Sequence, residues 1–217
     1  MKNLKNYLAV AVAVAISGFQ LANAQDNSDT NIASHILNVD VPEVALLDIF
    51  DANTNTEAAA ILFDMSEATV TGINSEAGLY AFQALSYTDL YLNYTSVVAS
   101  AANTDGYDLS RKINVQFETG STFPGNLDLR ITPEAPLLIT DGGTVDSGGT
   151  VVSGGVALGK TVPVGTDALL VDSIESVYTG DENQGVKLTY TLEQNGNFAA
   201  YNAGSYQSTL IYTLTDL

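Results

Sequence analysis

Residues 185–217, GVKLTYTLEQNGNFAAYNAGSYQSTLIYTLTDL, contain two runs in which apolar and polar side chains alternate with period two. That is the pattern of a strand with one buried face. In the first run Leu188, Tyr190 and Leu192 share one side, and Lys187, Thr189, Thr191 and Glu193 the other. In the second, Tyr206, Leu210, Tyr212 and Leu214 oppose Gln207, Thr209, Thr213 and Thr215, with Ile211 as the exception. Asn195-Gly196-Asn197 and Asn202-Ala203-Gly204 lie between them. These residue types tolerate positive φ and end strands. The rest of the chain reads as partners for these two strands.

Working upstream, residues 168–178 give one more strand, and 179–185 (TGDENQG) a turn into Val186. The Gly-rich stretch 141–155, DGGTVDSGGTVVSGG, carries a short imperfect repeat and reads as an extended hairpin or mobile surface loop. In residues 112–118 Ile113, Val115 and Phe117 point inward and Lys112, Asn114, Gln116 and Glu118 outward. A Pro124-Gly125-Asn126 turn follows, and Leu127, Leu129 and Ile131 are expected to pair with that strand across it. Leu90, Leu92 and Tyr94 alternate with Asp89, Tyr91 and Asn93 in a further strand. Residues 57–63 (EAAAILF) fit a helical turn or a strand, and 68–73 and 77–84 are short apolar pieces. From Ile36 the chain alternates again, with Leu37, Val39, Val41, Ala45, Leu47 and Ile49 in one phase. Pro42 lacks an amide donor, so this strand is expected at an edge or split by a bulge.

Eight or nine short strands joined by turns, with no long 3.6-residue period, predict an all-β fold. An antiparallel immunoglobulin-like sandwich is the first expectation and a jelly roll the alternative.

The N-terminus sets the compartment. Lys2 and Lys5 precede an apolar core from Tyr7 to Phe19 and an exit Ala22-Asn23-Ala24, which read as a secretory signal over residues 1–24. The core is shorter than the ~20 residues of a spanning helix, so no membrane insertion is expected after cleavage. Residues 25–31 (QDNSDTN) form a polar tether, and 32–217 a single domain of ordinary size. Two of the seven basic residues lie in the signal and no acid does, so the remainder carries five bases against 25 acids, a net charge of −20. That balance repels nucleic acid and anionic lipid. The expected location is extracellular, at the cell surface, or periplasmic.

The chemistry-bearing residue types are few. There is no cysteine, hence no disulfide and no thiolate metal site, and His35 is the single histidine. No Gly-x-Ser-x-Gly elbow, Ser-x-x-Lys pair or phosphate loop occurs. No catalytic residue, cofactor or metal ligand is assigned, and the chain reads as a non-enzyme. Calcium needs only oxygens, and the acidic turns 105–108, 141–146 and 181–183 each offer some. None has the spacing of a calcium loop, and solvated turns are the preferred reading.

Residues 203–215, AGSYQSTLIYTLT, resemble the closing strand of secreted bacterial fimbrial and coat proteins, including chaperone–usher pilins and the spore-coat-U-like group. The resemblance covers the last 35 residues and extends loosely to 112–132. It implies an immunoglobulin-like sandwich that is incomplete and is completed by a strand from a neighbouring subunit. The segment 32–41, with Ile32, Ile36, Leu37, Val39 and Val41, has the composition of such a donor. The strand of Tyr206, Leu210, Tyr212 and Leu214 is the corresponding acceptor. The function expected is a structural or adhesive surface protein, a fimbria, fibre or coat subunit that associates with itself or with other surface subunits. A monomeric glycan- or calcium-binding module is the alternative, and an unrecognised hydrolase is a third reading.

Overall fold

A computed structural model describes residues 34–57, 60–67, 83–100, 106–139, 146–196 and 203–217. The chain divides into two units, Met1–Asp40 and Val41–Leu217. In the first, residues 34–40 have no regular structure and are exposed. The signal, the tether and Ile32 lie outside the described residues, as do most of the pieces expected at 68–73 and 77–84.

The second unit is an antiparallel β-sandwich. One sheet has the order β2-β1-β3-β10-β5-β7, with β9 also on β3; the other has the order β11-β4-β8-β6. The strands of the larger sheet are β1 (Val44–Asp51), β2 (Thr56–Glu57), β3 (Leu85–Val97), β5 (Leu127–Pro133), β7 (Val156–Gly159), β9 (Val177–Tyr178) and β10 (Val186–Gln194). Those of the smaller sheet are β4 (Arg111–Phe117), β6 (Thr150–Val151), β8 (Ala168–Ile174) and β11 (Leu210–Asp216). The only helical piece among the described residues is a 3-10 turn, Met65–Glu67. The order β1-β3-β10-β5 follows the A-B-E-D sheet of an immunoglobulin domain, and β11 beside β4 follows its F–C pair.

The period-two runs become the two inner faces. Leu90, Leu92 and Tyr94 of β3, Ile131 of β5 and Leu188 and Tyr190 of β10 meet Ile113, Val115 and Phe117 of β4 and Leu170, Val171 and Ile174 of β8 in one core. Burying a side chain of this size contributes roughly 1.5–3 kcal/mol. With no disulfide, this layer holds the sandwich together.

Four local expectations are corrected. The alternation beginning at Ile36 does not form one strand; regular structure starts only at Val44, two residues past Pro42, and Leu47 and Ile49 then face the core. β4 and β5 do not pair across the Pro124-Gly125-Asn126 turn. They lie in opposite sheets, because both carry an apolar inner face and those faces meet across the core. Residues 168–178 are two strands in different sheets. The chain crosses at Glu175 and Ser176, held there by Glu175 N–H donating to Ser147 O at 2.9 Å and by Ser176 Oγ bonding Val98.

The Gly-rich stretch 141–155 is not a loop throughout, for its described part, from Asp146 onward, is built into the sandwich. Thr150 and Val151 pair with β8, and the Tyr94 hydroxyl donates to the Gly148 carbonyl from inside the core. Gly155 has φ +71°, and a β-carbon there would stand 2.1 Å from Ile131 O, so this position requires glycine.

Candidate functional site

The larger sheet ends at β2 and β7 and the smaller at β6 and β11. β2 and β6 have two residues each and β7 has four. β11 has seven, LIYTLTD, without proline, lysine or arginine, and its ladder with β4 runs from Leu210 opposite Phe117 to Asp216 opposite Arg111 without a register shift. Short length, bulges, proline and lysine are the usual protections of a sheet edge. β11 has none of them.

Backbone direction follows from the flanking bonds. Thr209 O accepts from Glu118 N–H at 2.8 Å, and Leu217 N–H donates to Ser110 O at 3.2 Å. These odd-numbered residues therefore turn their peptide groups toward β4. By the alternation of an antiparallel pair, Leu210, Tyr212 and Leu214 present theirs on the opposite side. Among the described residues no strand pairs with that side.

The same three residues send their side chains inward, where they are only partly covered. Leu210, Tyr212 and Leu214 of β11 and Leu47 and Ile49 of β1 pack on the core as half-buried groups. β11 and β1 approach each other across the seam between the sheets. The Tyr212 hydroxyl bonds the Tyr190 hydroxyl of β10, tying the open edge to the middle of the opposite sheet. Burial pushes both phenols above their ordinary range.

One end of the seam is pinned by Arg111, which is buried at the start of β4. Its Nε donates to Asp216 Oδ1 at 2.9 Å, and Nη1 to Val44 O at 2.7 Å, Val97 O at 3.0 Å and Ser96 Oγ at 3.3 Å. Glu43 Oε2 stands 3.8 Å from Nη2. A single guanidinium thus joins the end of β11 to the β1–β3 pair of the other sheet. Sequence reading passed over Arg111; the available signal was an arginine directly before the cleanest inward-facing run.

Of the acceptor residues expected from sequence, Leu210, Tyr212 and Leu214 come together in β11. Tyr206 does not; it precedes the strand and is 44% exposed. Of the donor residues, Ile36, Leu37, Val39 and Val41 lie in non-regular chain and each is at least 70% exposed.

No family model, curated protein or solved structure matches the chain.

Elsewhere, Leu62, Phe63, Asp64, Leu85, Ser86 and Tyr87 line a shallow depression. Beside it the Tyr87 hydroxyl donates to the buried Asp51 carboxylate at 2.6 Å. Desolvation opposes that charge, but the bonds from Tyr87 and Asn53 outweigh it and hold Asp51 below the ordinary carboxylate range. Among the described residues no three His, Cys, Asp or Glu side chains cluster as a metal site. In the acidic turn at 181–183, the Asp181 carboxylate caps Glu182 N–H at 2.8 Å.

Proposed function

We propose that the protein is an exported, non-enzymatic structural subunit of a surface fibre or coat, and that it assembles by adding a strand from another copy to the free edge of β11. The observation that carries this reading is the seven-residue unprotected edge lying over a half-covered apolar seam. In an immunoglobulin domain strand G occupies that place beside F. A seventh-strand position left to a partner is what an assembling subunit needs, since backbone bonds give affinity and alternate side chains give register.

The donor is the 34–41 segment, SHILNVDV. Paired with β11, one phase of it, Leu37, Val39 and Val41, covers the seam, while Asn38 and Asp40 face water. The four exposed apolar side chains of this segment are the second support for the reading. The resemblance of residues 203–215 to fimbrial and coat proteins supports it independently.

The test is size-exclusion chromatography and negative-stain imaging of the protein beginning at Gln25, against a variant beginning at Pro42 and against Leu210→Pro. Proline at the first residue of β11 removes an outward donor and leaves the bonds to β4 in place. Polymers in the longer protein, lost in both variants, are expected. A longer protein that stays monomeric at high concentration overturns the reading.

A further inference from the structure

The second constellation lies at the opposite edge of the larger sheet. Asp128 sits in the middle of a cross-strand row, opposite Gly159 of β7 and Glu193 of β10. Just beyond those two residues the chain places Lys160 and Asn195. Lys160 Nζ donates to the Asn195 main-chain carbonyl and stands 3.3 Å from the side-chain oxygen Oδ1. The Asn195 amide nitrogen Nδ2 donates to Asp128 Oδ2 at 2.5 Å. Asp128 is only 4% exposed and also accepts from Thr161 N–H at 2.8 Å and Thr161 Oγ1 at 2.7 Å. Asn195 N–H in turn donates to Asn126 O at 2.7 Å. An amine, a carboxamide and a buried carboxylate are thus held together, with each backbone anchored.

We propose that Lys160 and Asn195 join in an intramolecular amide bond. The neutral Lys160 amine attacks Asn195 Cγ, the Nζ–Cγ bond forms, and the Cγ–Nδ2 bond breaks. Asp128, already on Nδ2, takes the proton released by the amine and returns it to the departing nitrogen, which leaves as ammonia. The atoms balance without oxidant, reductant or cofactor. Holding the two groups in place replaces a bimolecular encounter by an intramolecular one, which lowers the barrier to such a step. Attack needs the amine without its proton, so the bond forms faster under mildly alkaline conditions. It need form only once per molecule.

The bond spans β5, tying the end of β7 to the end of β10. It closes a loop of the kind a disulfide closes, in a chain that has no cysteine. It does not depend on β11, so it stands or falls separately from strand assembly.

Asn195 is followed by Gly196, and attack by the Gly196 main-chain nitrogen on the same carbon also expels ammonia, giving a succinimide that water reopens. The test separates the two. Intact-mass spectrometry of the protein beginning at Gln25, held at mildly alkaline pH, is expected to show the loss of one ammonia in addition to the one that an N-terminal glutamine releases on closing to pyroglutamate. Proteolysis is expected to yield a branched peptide joining Lys160 to Asn195. Lys160→Arg, an exposed substitution that keeps the charge, abolishes that second loss and the branched peptide and lowers the melting temperature by about 10 °C, from the loop-closure entropy of a cross-link over a domain of this size. Asp128→Asn slows the reaction. The proposal is overturned if both side chains stay intact after prolonged incubation, or if that second ammonia is lost equally from Lys160→Arg.

Discussion

Replacing Arg111 by alanine removes a group that ties the end of β11 to the larger sheet. The wild-type guanidinium makes a 2.9 Å bond to Asp216 and bonds of 2.7 and 3.0 Å to the carbonyls of Val44 and Val97. A hydrogen bond to a charged group contributes roughly 1.5–3 kcal/mol, and breaking a buried ion pair costs about 3–5 kcal/mol. The carboxylate partners soften the loss, because the Asp216 and Glu43 side chains are 57% and 29% exposed and recover water when the arginine goes. The expected cost is therefore near the lower bound, about 3 kcal/mol. In a domain of this size that lowers the melting temperature by roughly 6–12 °C. Arg111→Lys keeps the charge but lacks the planar fork, and restores less than half of the loss.

Scanning calorimetry or urea unfolding measures the effect, with Arg130→Ala as the internal comparison. Arg130 pairs with Glu193 at 2.8 Å, but both side chains are about one-third exposed. Such a pair contributes only about 0–1 kcal/mol. If Arg111→Ala costs no more than Arg130→Ala, the guanidinium is not a fastener between the sheets and the reasoning fails.

Other expectations follow from the same geometry. Gly155→Ala meets both a left-handed φ and the Ile131 carbonyl, and should destabilise by more than about 3 kcal/mol in urea unfolding, whereas Gly154→Ala has open space and should cost only about 1–2 kcal/mol. Tyr190→Phe leaves the Tyr212 hydroxyl without its partner and should cost about 1–3 kcal/mol, while the double change to Phe recovers part of that loss. Both phenols titrate higher in the folded than in the unfolded chain, so their contribution is complete below the ordinary phenol value of 10.0 and is lost as pH rises above it. The double Phe variant should accordingly show a flatter fall in stability during alkaline titration.

The sandwich was legible because its inner faces obey a strict period of two. Ile113, Val115 and Phe117, or Leu188, Tyr190 and Leu192, announce their burial by spacing alone, and all six are buried. Pairing was less legible, since an apolar face says that a strand packs and not which neighbour it bonds; β4 and β5 show this. Alternation also misled at Ile36 and at Ser176, where the pattern runs on although the chain leaves the sheet. The edge at β11 was half readable, because Leu210, Tyr212 and Leu214 were identifiable as a strand, while the lack of an outer partner among the described residues depends on topology. The triad of Asp128, Lys160 and Asn195 had no sequence signature. Its members stand 32 and 35 positions apart and meet only because β7, β5 and β10 are neighbours.

The chain changes sheets between β3 and β4 and again at each of the next five strands, returning last from β10 to β11. Neither sheet can therefore be assembled from a contiguous stretch of polypeptide. Topologies dominated by such distant pairings fold on the scale of milliseconds to seconds, and loop closure must precede most of the favourable contacts. β4 acquires one of its two neighbours only when residues 210–216 arrive. A chain shortened by its last eight residues should thus remain a slow-folding, protease-sensitive species, with the smaller sheet unfinished on the side where β11 belongs.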